Sequence, residues 1–170
     1  MVTYSSSIAS YTFGLASSGG YTVSGVTDGV DTVTGIERAS FTDKKIAIDL
    51  DGNAGTTAKI LGAVFGASSL SNKTYVGIGL NYLDGGMSYA DLMALALNAA
   101  GATTNNAVVS LLWTNLFGAA PTTAEAAPYV AMLASGSYTA GTLGVLAADT
   151  SFNTTNINLV GLAQTGIEYI

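Results

Sequence analysis

Cysteine and histidine are absent from this chain of 170 residues. Their absence removes thiolate nucleophiles, disulfides, imidazole bases and the common zinc and haem ligands. Charge is almost as scarce. Asp, Glu, Lys and Arg make up 9% of the residues, against about 25% in ordinary globular domains. The 5 bases and 11 acids leave a net charge of −6, and a nucleic-acid binder needs clustered Lys and Arg. Hydrophobic residues make up 49%, which argues against disorder, a state of low hydrophobicity and high charge. The length suits one domain, or two small ones, with a real core.

The scarcity is uneven. All five bases, Arg38, Lys44, Lys45, Lys59 and Lys73, precede Thr74. Beyond them only Asp84, Asp91, Glu125, Asp149 and Glu168 carry charge. Such a stretch cannot pair charges within itself, and it suggests a surface meant to be covered by other subunits. The start, Met1-Val2-Thr3-Tyr4-Ser5, has no basic region followed by an apolar run, so a cleaved secretory signal is not expected. No stretch reaches the 18 or so apolar residues that span a bilayer.

What is present changes character along the chain. Tyr11, Phe13 and Leu15 alternate with small or polar residues, and Tyr21, Val23 and Val26 follow a turn at Ser18-Gly19-Gly20. Asp28-Gly29 and Thr42-Asp43-Lys44 mark further turns between short runs at Val33, Ile36, Phe41, Ile46 and Ile48. This pattern predicts a small antiparallel sheet. From about Asp51-Gly52-Asn53 onward the spacing becomes helical. Ala58, Leu61, Val64 and Phe65 lead to Gly66 as a C-cap, and Val108, Leu111, Leu112 and Leu116 lead to Gly118. Ser88 to Asp91 resembles a capping box, and Thr122 to Glu125 fits one. The last helices are expected over Thr142 to Ala148 and Asn156 to Ala163. The expectation is an α+β fold, with a small antiparallel β part over 1–51 and an all-α domain over 52–170.

The helical part echoes itself. Residues 60–67, ILGAVFGA, resemble 112–119, LWTNLFGA. Asn81-Tyr82-Leu83 with Gly86-Met87-Ser88-Tyr89 echoes Pro128-Tyr129-Val130 with Gly136-Ser137-Tyr138. A repeat of roughly 50 residues reads as two related helical units sharing one core.

Residues 28–43, DGVDTVTGIERASFTD, and the junction 46–55, IAIDLDGNAG, carry a family resemblance. They resemble segments of bacterial repeats-in-toxin-associated proteins secreted by the type I pathway. There such a junction precedes a helical domain of the DUF4214 type, whose C-terminus resembles 156–170 here. The resemblance covers most of 11–170. It implies an extracellular or cell-surface location, reached without a cleaved N-terminal signal peptide. The calcium-binding Gly-Gly-x-Gly-x-Asp nonapeptides are absent, and so is the Gly-Arg-x-Pro-Asp element usual after each phenylalanine turn. The corresponding residues are Gly66-Ala67-Ser68-Ser69 and Gly118-Ala119-Ala120-Pro121-Thr122.

Candidate sites are few. Asp49, Asp51 and Asn53 have the spacing of EF-hand positions 1, 3 and 5, but Ala54 and Ile60 stand where the loop needs Gly and Glu. With Asp28 and Asp31 they are calcium candidates of a different kind, since hard oxygen ligands suit Ca²⁺. The competing reading has Asp51 and Asn53 capping the first helix. No Ser-x-x-Lys and no carboxylate motif is present, so the chain is not expected to be an enzyme. Most tyrosines, with Trp113, are expected in the core. The uncharged N-terminal stretch with Val2, Tyr4, Ile8 and Tyr11 either completes its own sheet or adds to a neighbour's sheet edge. The leading expectation is an extracellular structural protein that self-assembles into a filament, surface layer or biofilm-matrix polymer. The alternative is a calcium-dependent cell-surface adhesin or ligand-binding module that recognises a glycan or a protein.

Overall fold

The structure is a computed structural model that describes residues 1–16, 20–26 and 28–170, with the backbone alone for Phe13. The turn expected at Ser18-Gly19-Gly20 falls largely outside the described residues. The architecture is α+β.

Strands β1 (Val2–Thr3), β5 (Arg38–Ser40), β6 (Lys45–Ala47) and β7 (Ile167–Tyr169) form a sheet in the order β1-β5-β6-β7. Strands β2 (Tyr11–Leu15), β3 (Tyr21–Gly25) and β4 (Gly29–Val33) form an antiparallel meander. In the first sheet β1 runs parallel to β5, with Val2 opposite Ala39, and the other pairings are antiparallel. The last strand is contributed from the far end of the chain: Lys45 faces Tyr169 and Ala47 faces Ile167. The two sheets share a core in which Tyr4, Tyr21, Val23, Phe41, Ile46 and Ile48 are buried. Alternation on β3 puts Tyr21 and Val23 inside and the half-buried Thr22 and Ser24 on the other face. The Tyr4 ring stacks on Phe41 at 5.2 Å.

The helices are α1 (Asn53–Phe65), α2 (Lys73–Asp84), α3 (Tyr89–Ala99), α4 (Asn105–Phe117), α5 (Thr123–Ala134), α6 (Ala140–Ala148), α7 (Ser151–Asn156) and α8 (Leu159–Thr165). Among the described residues no helix is long and apolar enough to cross a membrane. Their ends follow side-chain chemistry. Asn72, Ser88, Thr104, Thr122, Thr139 and Thr150 each accept a backbone N–H from the first turn. Thr122 and Glu125 complete a reciprocal capping box. The helix expected over Asn156 to Ala163 is instead broken, because Asn158 adopts a left-handed φ of 51° and caps α8.

Two units of three helices are visible, α1–α3 and α4–α6. Helices α1 and α4 are both 13 residues long, and α2 and α5 both 12. Residues that correspond in the two units meet one another. The Asn115 amide donates to the carbonyls of Ala63, its own counterpart, and of Val64, at 3.0 and 2.8 Å. Where α3 crosses α6, Gly141 lies on its counterpart Ala90 and Gly144 on its counterpart Met93. Self-contact of equivalent positions is what an approximate two-fold relation produces. The shared core buries Ile60, Val64, Met93, Leu97, Val108 and Leu112.

The helix ends correct one detail of the repeat. The N-caps Asn72 and Thr122 and the C-caps Gly85 and Ser135 align α2 with α5. In that register Tyr129 corresponds to Gly79, not to Tyr82.

Asn153 on α7 ties the ends of the unit together. It is 1% exposed, and its amide donates to the carbonyls of Lys59 and Ala148 at 2.9 and 2.8 Å. Asn153→Leu is expected to lower stability by about 2 kcal/mol, because the Ala148 carbonyl at the end of α6 then loses its donor. The measurement is the urea midpoint at constant slope. An unchanged midpoint contradicts the account.

Candidate functional site: two related apolar clefts

Four of the five bases, Arg38, Lys44, Lys59 and Lys73, form ion pairs within the chain. Each acid of the base-free stretch has a partner. Asp84 accepts from Arg38 at 2.9 Å, Asp149 from Lys59 at 2.9 Å, and Glu168 from Lys44 at 3.4 Å and from Lys73. Asp91 and Glu125 are engaged by the caps Ser88 and Thr122. Having no base of its own, the stretch forms its ion pairs with bases from the first 73 residues. Lys73 and Lys44 hold the Glu168 carboxyl below its ordinary range.

The calcium candidates separate into two groups. Asp28 accepts hydrogen bonds from Ser5 at 3.2 Å and from the Tyr11 hydroxyl. Asp31 lies beside Tyr4, whose hydroxyl is pushed up to about 12, first by burial and then by the Asp31 charge. Asp49 sits elsewhere, paired with Arg38 and accepting the backbone N–H groups of Asn53 at 2.9 Å and Ala54 at 3.4 Å. Burial pushes its carboxyl up, against the opposing effects of Arg38 and those N–H groups. So Asp49, rather than Asp51 or Asn53, caps α1. The Asn53 amide turns to Asp84 at 2.7 Å. Asp51 and Asp49 line an opening of about 450 Å³ between the sheets and α8. Among the described residues no three His, Cys, Asp or Glu side chains converge as a metal site would need.

The N-terminal candidates are in use within the chain. Val2 belongs to β1, and Tyr4 is 5% exposed in the core between the sheets. Ile8 N–H donates to Asp43, and Tyr11 packs on Tyr4 and Phe41. The strand completes its own sheet.

The more distinctive feature is a pair of clefts, one in each helical unit. The second-unit cleft has a volume of about 220 Å³ and is lined by Val109, Trp113, Phe117, Tyr129, Leu146 and Phe152 among others. Trp113 lies 4.6 Å from Phe117 and 6.0 Å from Tyr129, and Phe117 meets Phe152 edge-on at 4.8 Å. Phe117, Leu146 and Phe152 are exposed. The first-unit cleft has a volume of about 330 Å³ and is lined by Thr57, Phe65, Tyr75, Gly79, Tyr82 and Leu95 among others. No charged side chain lines either cleft.

The two are equivalent places in the repeat. Phe65 corresponds to Phe117, Leu61 to Trp113, and Leu95 to Leu146. Leucine at 61 stands where the second unit has tryptophan, and at two facing positions Thr57 and Gly79 stand where Val109 and Tyr129 stand in the second. Smaller residues in place of Trp113 and Tyr129 are consistent with the larger volume of the first cleft. The sequence places most tyrosines and Trp113 in the core, whereas Trp113, Tyr129, Tyr75 and Tyr82 line clefts. The signal that would have found them is the uncharged lining shared by both copies, visible once the helix ends set the register. The chain was compared with protein-family models, with curated proteins and with solved structures, and it matches none of them.

Proposed function

We propose that the chain is a structural module of the bacterial cell exterior that associates with copies of itself, building a filament, surface layer or matrix polymer. The observation that carries this reading is the second-unit cleft, an aromatic groove with no charged side chain among its described lining residues. Tryptophan, tyrosine and phenylalanine concentrate at protein contacts, where their large area is buried at low entropic cost. A groove without charge selects a partner surface without charge. The same groove on a second copy is such a surface. In the proposed contact the exposed Phe152 ring of each copy seats in the groove of the other, an isologous, two-fold arrangement. The edge strand β1 of the four-stranded sheet supplies the second contact through which pairs extend into polymers. The exterior location rests on the resemblance of residues 28–55 to type I-secreted proteins.

The test is sedimentation velocity over a concentration series, with negative-stain microscopy of the same samples. The unaltered chain is expected to associate, and Phe152→Glu to weaken association by at least about tenfold, the loss of one central aromatic contact. Phe152 is exposed, so the variant keeps its circular dichroism spectrum. A chain that stays monomeric at every concentration, or a variant that associates as well as the parent, overturns the reading.

A further inference from the structure

Among the described residues the hydroxyl of Thr57 has no hydrogen-bond partner, although the residue is 1% exposed. A helical threonine ordinarily turns its hydroxyl back to a carbonyl one turn earlier. Here it does not. Thr57 is among the residues lining the first-unit cleft, and its hydroxyl lies beneath that lining where α1 passes α2 at Gly79. A Cβ on Gly79 would come within 2.6 Å of the Thr57 methyl carbon, so the glycine permits the approach. Solvent does not satisfy the hydroxyl either, since its oxygen has almost no open surface.

An unsatisfied buried polar group calls for a reason, and the repeat makes the point sharper. The counterpart Val109 has the same shape without the oxygen, so an apolar residue fits this place in the fold. The first unit keeps a hydroxyl there and opens its cleft with Gly79, where the second unit fills it with Tyr129.

We infer that the first-unit cleft binds a small, uncharged, lipid-like molecule carrying one hydrogen-bonding oxygen, which takes the unpartnered hydroxyl of Thr57. The chemistry follows from the lining. The walls are aliphatic and aromatic, so the body of the ligand is apolar. No base is present to receive a carboxylate or phosphate, so the ligand is neutral. The volume, about 330 Å³, lies at the lower end of small-molecule sites. The rim residues Tyr75, Ile78, Tyr82 and Leu95 are each close to half exposed. A ligand that parts them opens the floor and reaches the hydroxyl. This site is separate from the second-unit groove proposed for self-association.

The experiment loads the full chain with the neutral fluorophore N-phenyl-1-naphthylamine and displaces it with 1-decanol or with decanoate. Decanol is expected to displace the fluorophore, and decanoate to do so at least about tenfold more weakly, because its charge enters without a partner. Thr57→Val is expected to weaken decanol about five- to tenfold, the worth of one hydrogen bond, while melting at the same temperature or higher. Thr57→Ser should keep the parent affinity. Leu95→Glu at the rim should abolish binding. Self-association by sedimentation should be unchanged in Thr57→Val. Equal decanol affinity in the parent and Thr57→Val overturns the inference, as does a folded parent that binds neither fluorophore nor decanol.

Discussion

Gly141→Ala is expected to destabilise the protein by about 3 kcal/mol, lowering the melting temperature by about 9 °C for a chain of this size. In an exposed helix the same change would stabilise by up to about 1 kcal/mol, because alanine is the better helix former. At Gly141 the added methyl would run into the backbone carbonyl of Ala90, with the Ala94 methyl 3.3 Å away. A backbone carbonyl in a helix cannot move aside, so α3 and α6 must separate and the core between them loosens. Gly144, one turn on, supplies the control. Its added methyl would meet the Met93 side chain, which is buried but, unlike a helix carbonyl, can change rotamer to relieve part of the contact. Gly144→Ala is therefore expected to cost about 1 kcal/mol or less. Thermal melts of the two variants decide it. Equal effects at both positions would refute the idea that the two units are locked by backbone contact.

These glycines show where the sequence is readable and where it is not. Local signals came through. The capping box at Thr122 and Glu125 and the glycine stops at Gly66 and Gly118 place three helix ends, because each depends on residues within one turn. The meander from Tyr11 to Val33 shows in the alternation of Tyr21 and Val23. Features set by distant partners were hidden. Ile167–Tyr169 is too short to signal a strand by itself, and it becomes one by pairing with Lys45–Ala47. Helix α2 was not anticipated, since Gly77 and Gly79 weaken its pattern; both are needed for close packing, against Ile170 and Thr57. Of the two readings open for Asp51 and Asn53, the capping one fails because the chain reaches back to Asp49. The clefts were the least legible, because a tyrosine or leucine lining a groove has the same spacing as one in a core. Low charge, by contrast, was read early as a sign of covered surface. In the structure the acids Asp84, Asp149 and Glu168 pair with bases that all lie within the first 73 residues.

The most consequential of these ties is Arg38, whose removal is expected to produce a pH-dependent loss of stability. Arg38 is 9% exposed on β5. It donates to Asp49 before α1, to both carboxylate oxygens of Asp84 at the end of α2, and to the Glu37 carbonyl, with the Tyr169 ring of β7 6.0 Å away. One side chain thus joins the sheet to the first helical unit and answers the acid that α2 carries at its unfavourable C-terminus. Arg38→Met keeps much of the volume and leaves Asp49 buried without a counter-charge. The expected cost near neutral pH is about 3 kcal/mol or more, the range for one partner removed from a buried pair. Burial already holds the Asp49 carboxyl above its ordinary value, and Arg38 is the main opposing influence. Without Arg38 the carboxyl moves further up. A carboxyl whose folded value lies above its unfolded one takes up a proton on folding, so it favours the folded state at low pH and loses that advantage as pH rises through the folded value. The variant should therefore be penalised most near pH 8 and should recover part of the difference by about pH 5. Arg38→Met combined with Asp49→Asn should recover most of the stability and flatten the pH dependence, because no buried charge then remains unpaired. Urea unfolding at the two pH values reads both effects. A cost for Arg38→Met that is the same at both pH values, or a double variant no more stable than the single one, would mean that the uncompensated Asp49 charge is not what Arg38 guards against.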